Sequence, residues 1–413
     1  MADSLLSGYR ALDIMDEKGF VCGKILAAFG VEVIKIEKPG GDPARSIPPF
    51  LNNTPDAEKS LYWSAFNTDK RSITLNLALS QGQDLFRKLV EKADFVLESF
   101  APNYMNSLGL GYDALKRVNP RIIITSVTSF GQKGPYAQYK GSELIASAMG
   151  GVLLTTGDPD RPPVREGPDS IYFHAGVAAA LGTIFAHHHR QITGEGQQVD
   201  VSLQEIAASR TFNNLVIWEF GKGLLKRSGG VRRIGARSTR WIWQCKDGYV
   251  FWTLMPGQFG APGNRAMSQW IDEDGLENPL NRVTNWGEFH PARISREELE
   301  SYEEVIGKFF MNHTKEEIAE EGLKRGINAA PVHSAADVLE SLQLRARDYW
   351  ADLEHPEWGA RLTYPKYFFL TSQTENFVRR RRPCIGEDNE DIYAKELGLS
   401  STEIETLQKA SVI

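Results

Sequence analysis

Acidic and aromatic side chains stand directly before an apolar run in the middle of the chain. Glu166, Asp169 and Tyr172 lie in or just after a proline-rich segment, and from Ala175 onward the apolar residues recur at helical spacing. A helix that begins here presents unpaired N–H groups and partial positive charge toward these side chains. We therefore expect an anion at the start of this helix.

The same helix carries two internal glycines, Gly176 and Gly182. Each costs about 1 kcal/mol relative to alanine inside a helix. Such glycines are tolerated mainly where another backbone or a ligand comes close, so we expect a close contact along this helix. The apolar and neighbouring residues that share one face are Val177, Leu181, Ile184, Phe185 and His188.

Two further groups of residues could contact an anion. Gln132, Lys133 and Gly134 form a glycine turn whose N–H groups could cradle an oxyanion, although an ordinary turn would explain the same residues. Cations cluster near the predicted second and third strands, where a solvated basic face would explain any single one. These cations are Lys35, Lys38, Arg45 and Arg71.

Spacing and composition exclude several other chemistries. His187, His188 and His189 point about 100° apart on a helix and cannot converge on one metal ion. No P-loop, dinucleotide fingerprint or nucleophile-elbow serine is present. The net charge of −6 argues against nucleic acid or an anionic membrane as partner, and the three distant cysteines suit a reducing cytoplasm. The sequence predicts a cytoplasmic protein with no metal site and no membrane span.

Strands and helices alternate through the first 200 residues, which predicts a mostly parallel sheet with helices on both faces. The clearest predicted strands are 11–14, 31–37, 73–77 and 122–127. Ligands bind beyond the carboxyl ends of such strands. The turns expected there are 39–45, 100–106 and 126–136.

The pattern changes after Ser202. Residues 203–221 read as a helix, and the basic, glycine-rich segment 222–239 as a long loop. A hairpin with its turn at Asp247-Gly248 and a helical stretch over 297–325 then indicate a smaller α+β domain. The chain ends with an amphipathic helix predicted over 390–410.

Seven ordered segments together resemble one known family. They include the run Leu-Ala-Ala-Phe-Gly-Val-Glu-Val-Ile-Lys-Ile-Glu-Lys-Pro-Gly-Gly-Asp-Pro over 26–43, Leu-Gly-Leu-Gly-Tyr over 108–112 and Ser-Phe-Gly-Gln-Lys-Gly-Pro-Tyr over 129–136. The other four segments are 69–77, 179–182, 193–202 and 386–399. No one of them is specific, but in this order they resemble the class III CoA-transferases, which include formyl-CoA and carnitine CoA-transferases, along nearly the whole chain.

The resemblance implies a fold and a reaction. It implies a Rossmann-like large domain built from 1–220 and 336–413, a linker and small α+β domain over 221–335, and two subunits interlocked as a dimer. It also implies covalent catalysis, in which an aspartate carboxylate attacks the donor thioester and CoA then passes to an acceptor acid. Coenzyme A thioesters are substrates in this reaction, and no further cofactor or metal is expected.

By the same resemblance, the CoA-binding residues are expected among the cations and the glycine turn named above. They are Lys35, Lys38, Arg45, Arg71, Gln132, Lys133 and Gly134.

The chain departs from the family pattern at the nucleophile. The family's aspartate stands four residues before the glycine that opens the helix, here Gly176, and that position holds Tyr172. Asp169 lies three residues upstream, about 4.5 Å away if helical and up to about 10 Å if extended. Catalytic geometry tolerates about half an ångström, so Asp169 could serve only through a rearranged turn. Alternatively, Asp169 is a structural residue whose carboxylate stabilises a turn or caps the N-terminus of the helix.

Other departures concern the surroundings of the ligand. Asp16 and Glu17 follow the first strand and would repel phosphates unless Lys18 offsets them. Ala101 stands where the family often has arginine. Related racemases use a histidine and an aspartate as paired bases, and both are missing around Gly141-Ser142-Glu143, which argues against a racemase.

Three functional interpretations remain open. In the first, the chain is a subunit of a heteromeric CoA-transferase of the succinyl-CoA:benzylsuccinate type, and a homologous subunit carries the nucleophile. In the second, it is a self-sufficient transferase, usually a homodimer, that uses Asp169 or Glu166. In the third, it binds CoA esters without chemistry. The first interpretation expects succinyl-CoA as the donor and an aryl-substituted succinate as the acid.

Overall fold

The chain folds into two compact units. The computed structural model describes residues 4–167, 169–234, 237–375 and 377–413, without the side chains of 232–234 and 237. The first unit comprises 1–153, 165–223 and 343–413, and the second comprises 154–164 and 224–342. This division lies close to the predicted domain ends at 220 and 335, and it adds the short segment 154–164 to the second unit.

Helices and strands follow one another throughout the described residues. The strands are β1 (Arg10–Ile14), β2 (Glu32–Glu37), β3 (Arg71–Thr74), β4 (Phe95–Glu98), β5 (Ile123–Thr128), β6 (Gln198–Ser202), β7 (Val231–Ile234), β8 (Arg237–Arg240), β9 (Ile242–Cys245), β10 (Gly248–Phe251), β11 (Ala330–Pro331), β12 (Trp350–His355) and β13 (Ala360–Pro365). The helices are α1 (Phe20–Ala28), α2 (Leu61–Phe66), α3 (Ser80–Val90), α4 (Tyr104–Ser107), α5 (Tyr112–Val118), α6 (Glu143–Met149), α7 (Val152–Thr155), α8 (Ser170–Thr193), α9 (Leu203–Arg210), α10 (Phe212–Gly221), α11 (Gly257–Glu273), α12 (Arg296–Asn312), α13 (Lys315–Arg325), α14 (Ala335–Glu340), α15 (Leu342–Ala346) and α16 (Ser401–Lys409).

The first unit is organised around a six-stranded sheet in the order β3-β2-β1-β4-β5-β6. Each neighbouring pair is parallel. The central strands β4 and β5 are buried on both faces, and every residue of each is buried, whereas β6 at the edge is partly exposed. This is the doubly wound order of a Rossmann-like sheet, and it confirms the predicted parallel sheet. The order reverses between β1 and β4, where such sheets bind their ligands.

Helices cover both faces of this sheet. One face packs against α1 and α8 through residues such as Leu26 and Ala179, and the other packs against α3 and α5 through residues such as Phe86 and Leu115. The C-terminal segment covers the β3 edge, where the Ser72 N–H donates to Asp388 at 2.9 Å. The helix predicted over 390–410 is instead a seven-residue π-helix at Glu390–Glu396 followed by α16.

The middle of helix α8 buries small residues and exposes several large ones. The buried side includes Gly176, Ala179 and Ala180, whereas Leu181 and Phe185 are 53% and 64% exposed. A Cβ built on Gly176 would lie 2.6 Å from Val21 Cβ, so α1 approaches α8 closely at this glycine, as expected. By length and composition α8 could cross a membrane, and 44% of its most apolar window is buried inside the protein.

The second unit contains the three-stranded sheet β11-β10-β9 and a tryptophan-rich core. The predicted hairpin forms between β9 and β10, with its turn at Asp247-Gly248. The prediction of a loop over 222–239 is wrong in part, because β7 and β8 pair there as an antiparallel ribbon. Gly235 and Ala236 of that segment lie outside the described residues. The ribbon strands carry four arginines, so they lack the apolar alternation that signals a strand.

Candidate active site

A cleft of about 400 Å³ opens at the carboxyl ends of the strands around the point where the sheet order reverses. Residues from four consecutive connections form its walls. Asp16 follows β1, Lys38 follows β2, Asn76 follows β3, and Phe100 and Tyr104 follow β4. This is the position at which doubly wound sheets bind ligands, and the predicted turns 39–45 and 100–106 both reach it.

The acids around this cleft are balanced by nearby cations. Asp16 forms an ion pair with Lys18, Asp42 lies 3.4 Å from the Lys35 ammonium, and Glu37 lies 2.6 Å from Arg45. The predicted repulsion from Asp16 is therefore offset by Lys18. Lys38 at the rim is exposed, and in the described part of the chain no carboxylate lies within ion-pair distance of it. Lys38 is thus free to contact an anionic ligand.

Three of the predicted CoA-binding cations have internal partners instead. Lys35 is fully buried and donates to the Met15 carbonyl. Arg45 is also fully buried, stacks on Trp63 with its guanidinium carbon 4.2 Å from the ring centre, and binds Glu37 through two nitrogens. Arg71 joins β3 to the C-terminal segment through Glu396 and other acids. These contacts give the three side chains structural roles, and phosphate contacts for them stay a prediction.

The glycine turn is only partly available to a ligand. The Gln132 N–H donates to Asp200 at 2.9 Å, so this N–H already has an acceptor. Lys133 and Gly134 are exposed, and Gly134 has a φ of +102° with open space around it. Any oxyanion contact at this turn therefore falls to Lys133 and Gly134.

Buried charges hold the turn between β1 and α1. Asp13 is fully buried, lies 2.8 Å from the Lys70 ammonium and accepts the Met15 N–H at 3.0 Å. Burial opposes the charge of Asp13, yet Lys70 and Lys35 hold its pKa below the usual value. Lys70 also donates to the Phe20 carbonyl at 3.3 Å. The turn that carries Asp16 and Glu17 is fixed at both of its ends.

Tyr172 occupies the first turn of α8 and is buried. Its hydroxyl oxygen accepts the Glu143 N–H at 3.1 Å. Burial raises the pKa of Tyr172 to about 12. The phenol is therefore protonated at neutral pH and is a poor nucleophile.

Glu143 supplies the anion expected at the start of α8. Its buried carboxylate accepts the Ile171 N–H at 3.4 Å and the Arg165 Nε–H at 2.9 Å. From the sequence, Gly141-Ser142-Glu143 stood out only as a departure from the family pattern, and the role of Glu143 was not predicted. The available signal was Ser142, which caps α6 and thereby begins a helix at Glu143.

Asp169 lies beside this network in a left-handed conformation, with φ of 58°. Its carboxylate accepts from Arg165 at 3.1 Å. Burial, and then the charge of Asp169, raise the pKa of Tyr62. Glu17 also faces Tyr62 and Tyr172, so the β1–α1 turn links the cleft to the start of α8.

The Glu166 carboxylate has other bonding partners. Arg210 binds it through both terminal nitrogens, one of them at 2.8 Å, and this hydrogen bonding lowers the pKa of Glu166. Ser170 donates to the same carboxylate at 2.9 Å. The His174 ring lies 2.6 Å from the Ser170 carbonyl and contacts none of these acids directly.

Comparison with known proteins decides the family. The model of CoA-transferase family III matches residues 6–389. The chain belongs to CoA-transferase family III. It is 32% identical to the succinyl-CoA:(R)-benzylsuccinate CoA-transferase subunit BbsE of Thauera aromatica over 98% of both chains. It is 29% identical to a formyl-CoA:oxalate CoA-transferase of Streptomyces coelicolor over the full length of both.

The fold agrees with this family. A CAIB/BAIF family protein from Brucella suis superposes with a TM-score of 0.82 and 26% identity, over 95% of this chain and 99% of that one. As a family III member, the chain is a CoA-transferase that acts on acyl-CoA thioesters and carboxylic acids.

Proposed function

We propose that this chain is the subunit of a heteromeric family III CoA-transferase that is not itself acylated. The observation that carries the proposal is Tyr172, which stands where the family pattern requires the nucleophilic aspartate. Its hydroxyl is buried and hydrogen-bonded to the Glu143 N–H. A homologous subunit with aspartate at this position would perform the covalent step.

The covalent step needs an ionised carboxylate. The partner's aspartate attacks the thioester carbonyl, the C–S bond breaks, and the CoA thiolate leaves with its electron pair. The thiolate then attacks the aspartyl carbonyl of the mixed anhydride and releases the donor acid. A protonated phenol with a pKa of about 12 cannot start this sequence at neutral pH.

The cleft would hold the nucleotide part of a CoA thioester. Phe100 and Tyr104 form a tilted aromatic pair with ring centres 4.8 Å apart on its wall, which suits stacking with adenine. Lys38 supplies a cation at the rim for the phosphates. Because the neighbouring acids are paired with Lys18, Lys35 and Arg45, the charge of Lys38 is not opposed.

Exposed apolar faces in the first unit support assembly with a second, interlocked family chain. Helix α10 carries four large apolar side chains and has no buried residue. All four are exposed: Phe212, Leu215, Trp218 and Phe220. The outer face of α8 is similarly apolar. Surfaces of this kind are typical of obligate subunit interfaces. The name of the relative BbsE, a subunit, favours a heteromer over a homodimer.

The substrates proposed are succinyl-CoA as donor and an aryl-substituted succinate as acid. They rest on the name of BbsE, the succinyl-CoA:(R)-benzylsuccinate enzyme subunit, at 32% identity over nearly the full chain.

Transfer assays on separate and combined chains test the proposal. The chain is purified alone and co-expressed with a family homologue that has aspartate at the position of Tyr172, and CoA transfer from succinyl-CoA to benzylsuccinate is measured. Activity is expected only in the co-expressed complex. Activity of the chain alone contradicts the proposal.

A self-sufficient enzyme is the second candidate, because Asp169 lies three residues before Tyr172 and Arg165 holds its carboxylate in place. That candidate predicts activity of the chain alone, with loss in Asp169→Asn. CoA-ester binding without transfer in either preparation would instead identify a binding protein.

A further inference from the structure

Glu98 is a buried carboxylate without a counter-charge. Five carboxylates are buried in the described part of the chain, and four of them bind a lysine or arginine at 2.6–3.1 Å. The four pairs are Asp13–Lys70, Glu37–Arg45, Glu143–Arg165 and Asp388–Arg71. Among the described residues, no cation lies within ion-pair distance of Glu98, which is 5% exposed. A buried unpaired carboxylate is costly, and protonation is the usual way to remove that cost.

The contacts of Glu98 connect two parts of the candidate site. Its carboxylate accepts the Phe100 N–H at 2.8 Å, and Phe100 lines the cleft. The Gln132 side chain approaches the other oxygen at 3.5 Å, and Gln132 begins the glycine turn. Ser126 on β5 also hydrogen-bonds to Glu98. Burial raises the pKa of Glu98 to about 7, within the range in which cells operate.

Other charged groups near Glu98 do not replace the missing cation. On the β1–α1 turn, Lys18 is already paired with Asp16. Asp113 on α5 is exposed and lines the same small cavity of about 140 Å³ beside Glu98. On β6, Asp200 accepts the Gln132 N–H. The surroundings are therefore neutral to acidic.

We propose that Glu98 is a proton-binding site coupled to the cleft, and that it takes up a proton when a CoA ester binds there. The inference rests on the proposed binding of CoA in the cleft. Phosphates bound in the cleft that Phe100 lines add negative charge to a site that already holds a carboxylate with no counter-ion. Protonation of Glu98 removes this repulsion and leaves its unprotonated oxygen able to accept the Phe100 N–H.

Calorimetry in buffers of different ionisation enthalpy counts the protons taken up. The probe is dephospho-CoA, because it lacks the 3′-phosphate that titrates near pH 6. If binding raises the pKa of Glu98 by one unit, the full chain should take up roughly half a proton per ligand at pH 7.5. The same shift weakens binding roughly sixfold between pH 6.5 and pH 8.5.

Two variants isolate Glu98 from other groups. Glu98→Gln keeps an oxygen for the Phe100 N–H but cannot ionise, so the proton uptake and the pH dependence should both disappear. Asp113→Asn changes the exposed carboxylate of the same cavity and should leave both unchanged. If Glu98→Gln does not fold, the unmodified chain alone tests the role of Glu98. Its proton uptake on ligand binding should vanish at pH 5.5, because Glu98 is already protonated there.

The outcomes separate this inference from the proposed function. Binding with the same proton count in the unmodified chain and in Glu98→Gln overturns the role of Glu98 and leaves CoA binding intact. Failure of any CoA species to bind, with or without a homologous subunit, overturns the CoA site itself and the proton coupling with it.

Discussion

At the scale of single residues, ion pairing decides which cations can meet a ligand. Lys35 and Lys38 are three positions apart in one predicted phosphate-binding turn, yet Lys35 is fully buried against Asp13 and Met15 while Lys38 is exposed. The two lysines should therefore respond differently to substitution.

Lys38→Ala should weaken binding of CoA by about tenfold and leave the melting temperature unchanged, because the loss of one exposed phosphate contact costs about 1–2 kcal/mol. Titration calorimetry and thermal unfolding measure the two effects. Lys35→Met is the matched control. It should lower the melting temperature and leave CoA binding by the folded protein unchanged. It removes the buried ammonium that lies beside Asp13 and Asp42 and takes the donor from the Met15 carbonyl, which should cost about 1–3 kcal/mol of folding free energy. Equal melting temperatures for the two variants would contradict this assignment.

The stability of Glu98→Gln should depend on pH. The folded pKa of Glu98, about 7, lies above its ordinary value of 4.5. Its contribution to stability is therefore fully present below about pH 4.5 and is lost as the pH rises through 7. Scanning calorimetry should find similar melting temperatures for both chains at pH 5 and a higher one for the variant at pH 8.5. The difference in unfolding free energy between the two chains approaches about 3 kcal/mol at pH 8.5. A melting-temperature difference that stays constant from pH 5 to pH 8.5 would contradict a buried Glu98 without a counter-charge.

The sequence predicted the position of the site better than its contacts. Turns rich in lysine and glycine identify the carboxyl edge of a parallel sheet, and they led correctly to the cleft. Whether Arg45 faces solvent or Trp63 depends on residues far apart in sequence, such as Glu37 and Pro383. Glu143 was missed for the same reason, since its role arises from Ile171 and Arg165 on another segment.

At the scale of elements, α8 shows how glycine allows a close helix contact. The sequence predicted both the helix and a close approach, but it started the helix five residues late. The apolar face read from the sequence is largely exposed, because small residues rather than large ones pack against α1 and the sheet. Periodicity identifies apolar faces, and it cannot say whether the same chain covers them.

Gly176→Ala should destabilise the protein by about 1–3 kcal/mol, because the added methyl group would lie 2.6 Å from Val21 Cβ and 3.0 Å from the Cys22 nitrogen. Gly307→Ala in α12 is the control, since its methyl group would meet only the Trp243 ring at 3.9 Å. The control should be neutral or slightly stabilising. Thermal unfolding compares the two, and an unaffected Gly176→Ala would mean that α1 and α8 can separate at little cost.

At the scale of the whole molecule, the first unit exposes large apolar side chains on two of its helices. The residues concerned lie on α8 and α10 and include Phe185, Trp218 and Phe220. A smaller α+β domain was predicted from the change in pattern after Ser202, whereas the domain ends at 220 and 335 and the assembly were implied only by the family resemblance.

Phe220→Lys should reduce the fraction of assembled protein, because it places a charge in an apolar contact. Leu323→Lys is the matched control: Phe220 and Leu323 are 86% and 84% exposed, but Leu323 is the lone exposed large apolar residue on α13 among the described residues. Light scattering coupled to size-exclusion chromatography should show smaller particles or aggregation for Phe220→Lys alone. Intact assembly in both variants would remove α10 from the interface.

Intact-mass analysis of both subunits tests the central claim most directly. The co-expressed complex is mixed with succinyl-CoA, trapped with borohydride and separated into its chains. We expect the mass of the homologous subunit to change at its aspartate and the mass of this chain to stay unmodified. A modified mass for this chain, mapped to Asp169 and lost in Asp169→Asn, would contradict the account.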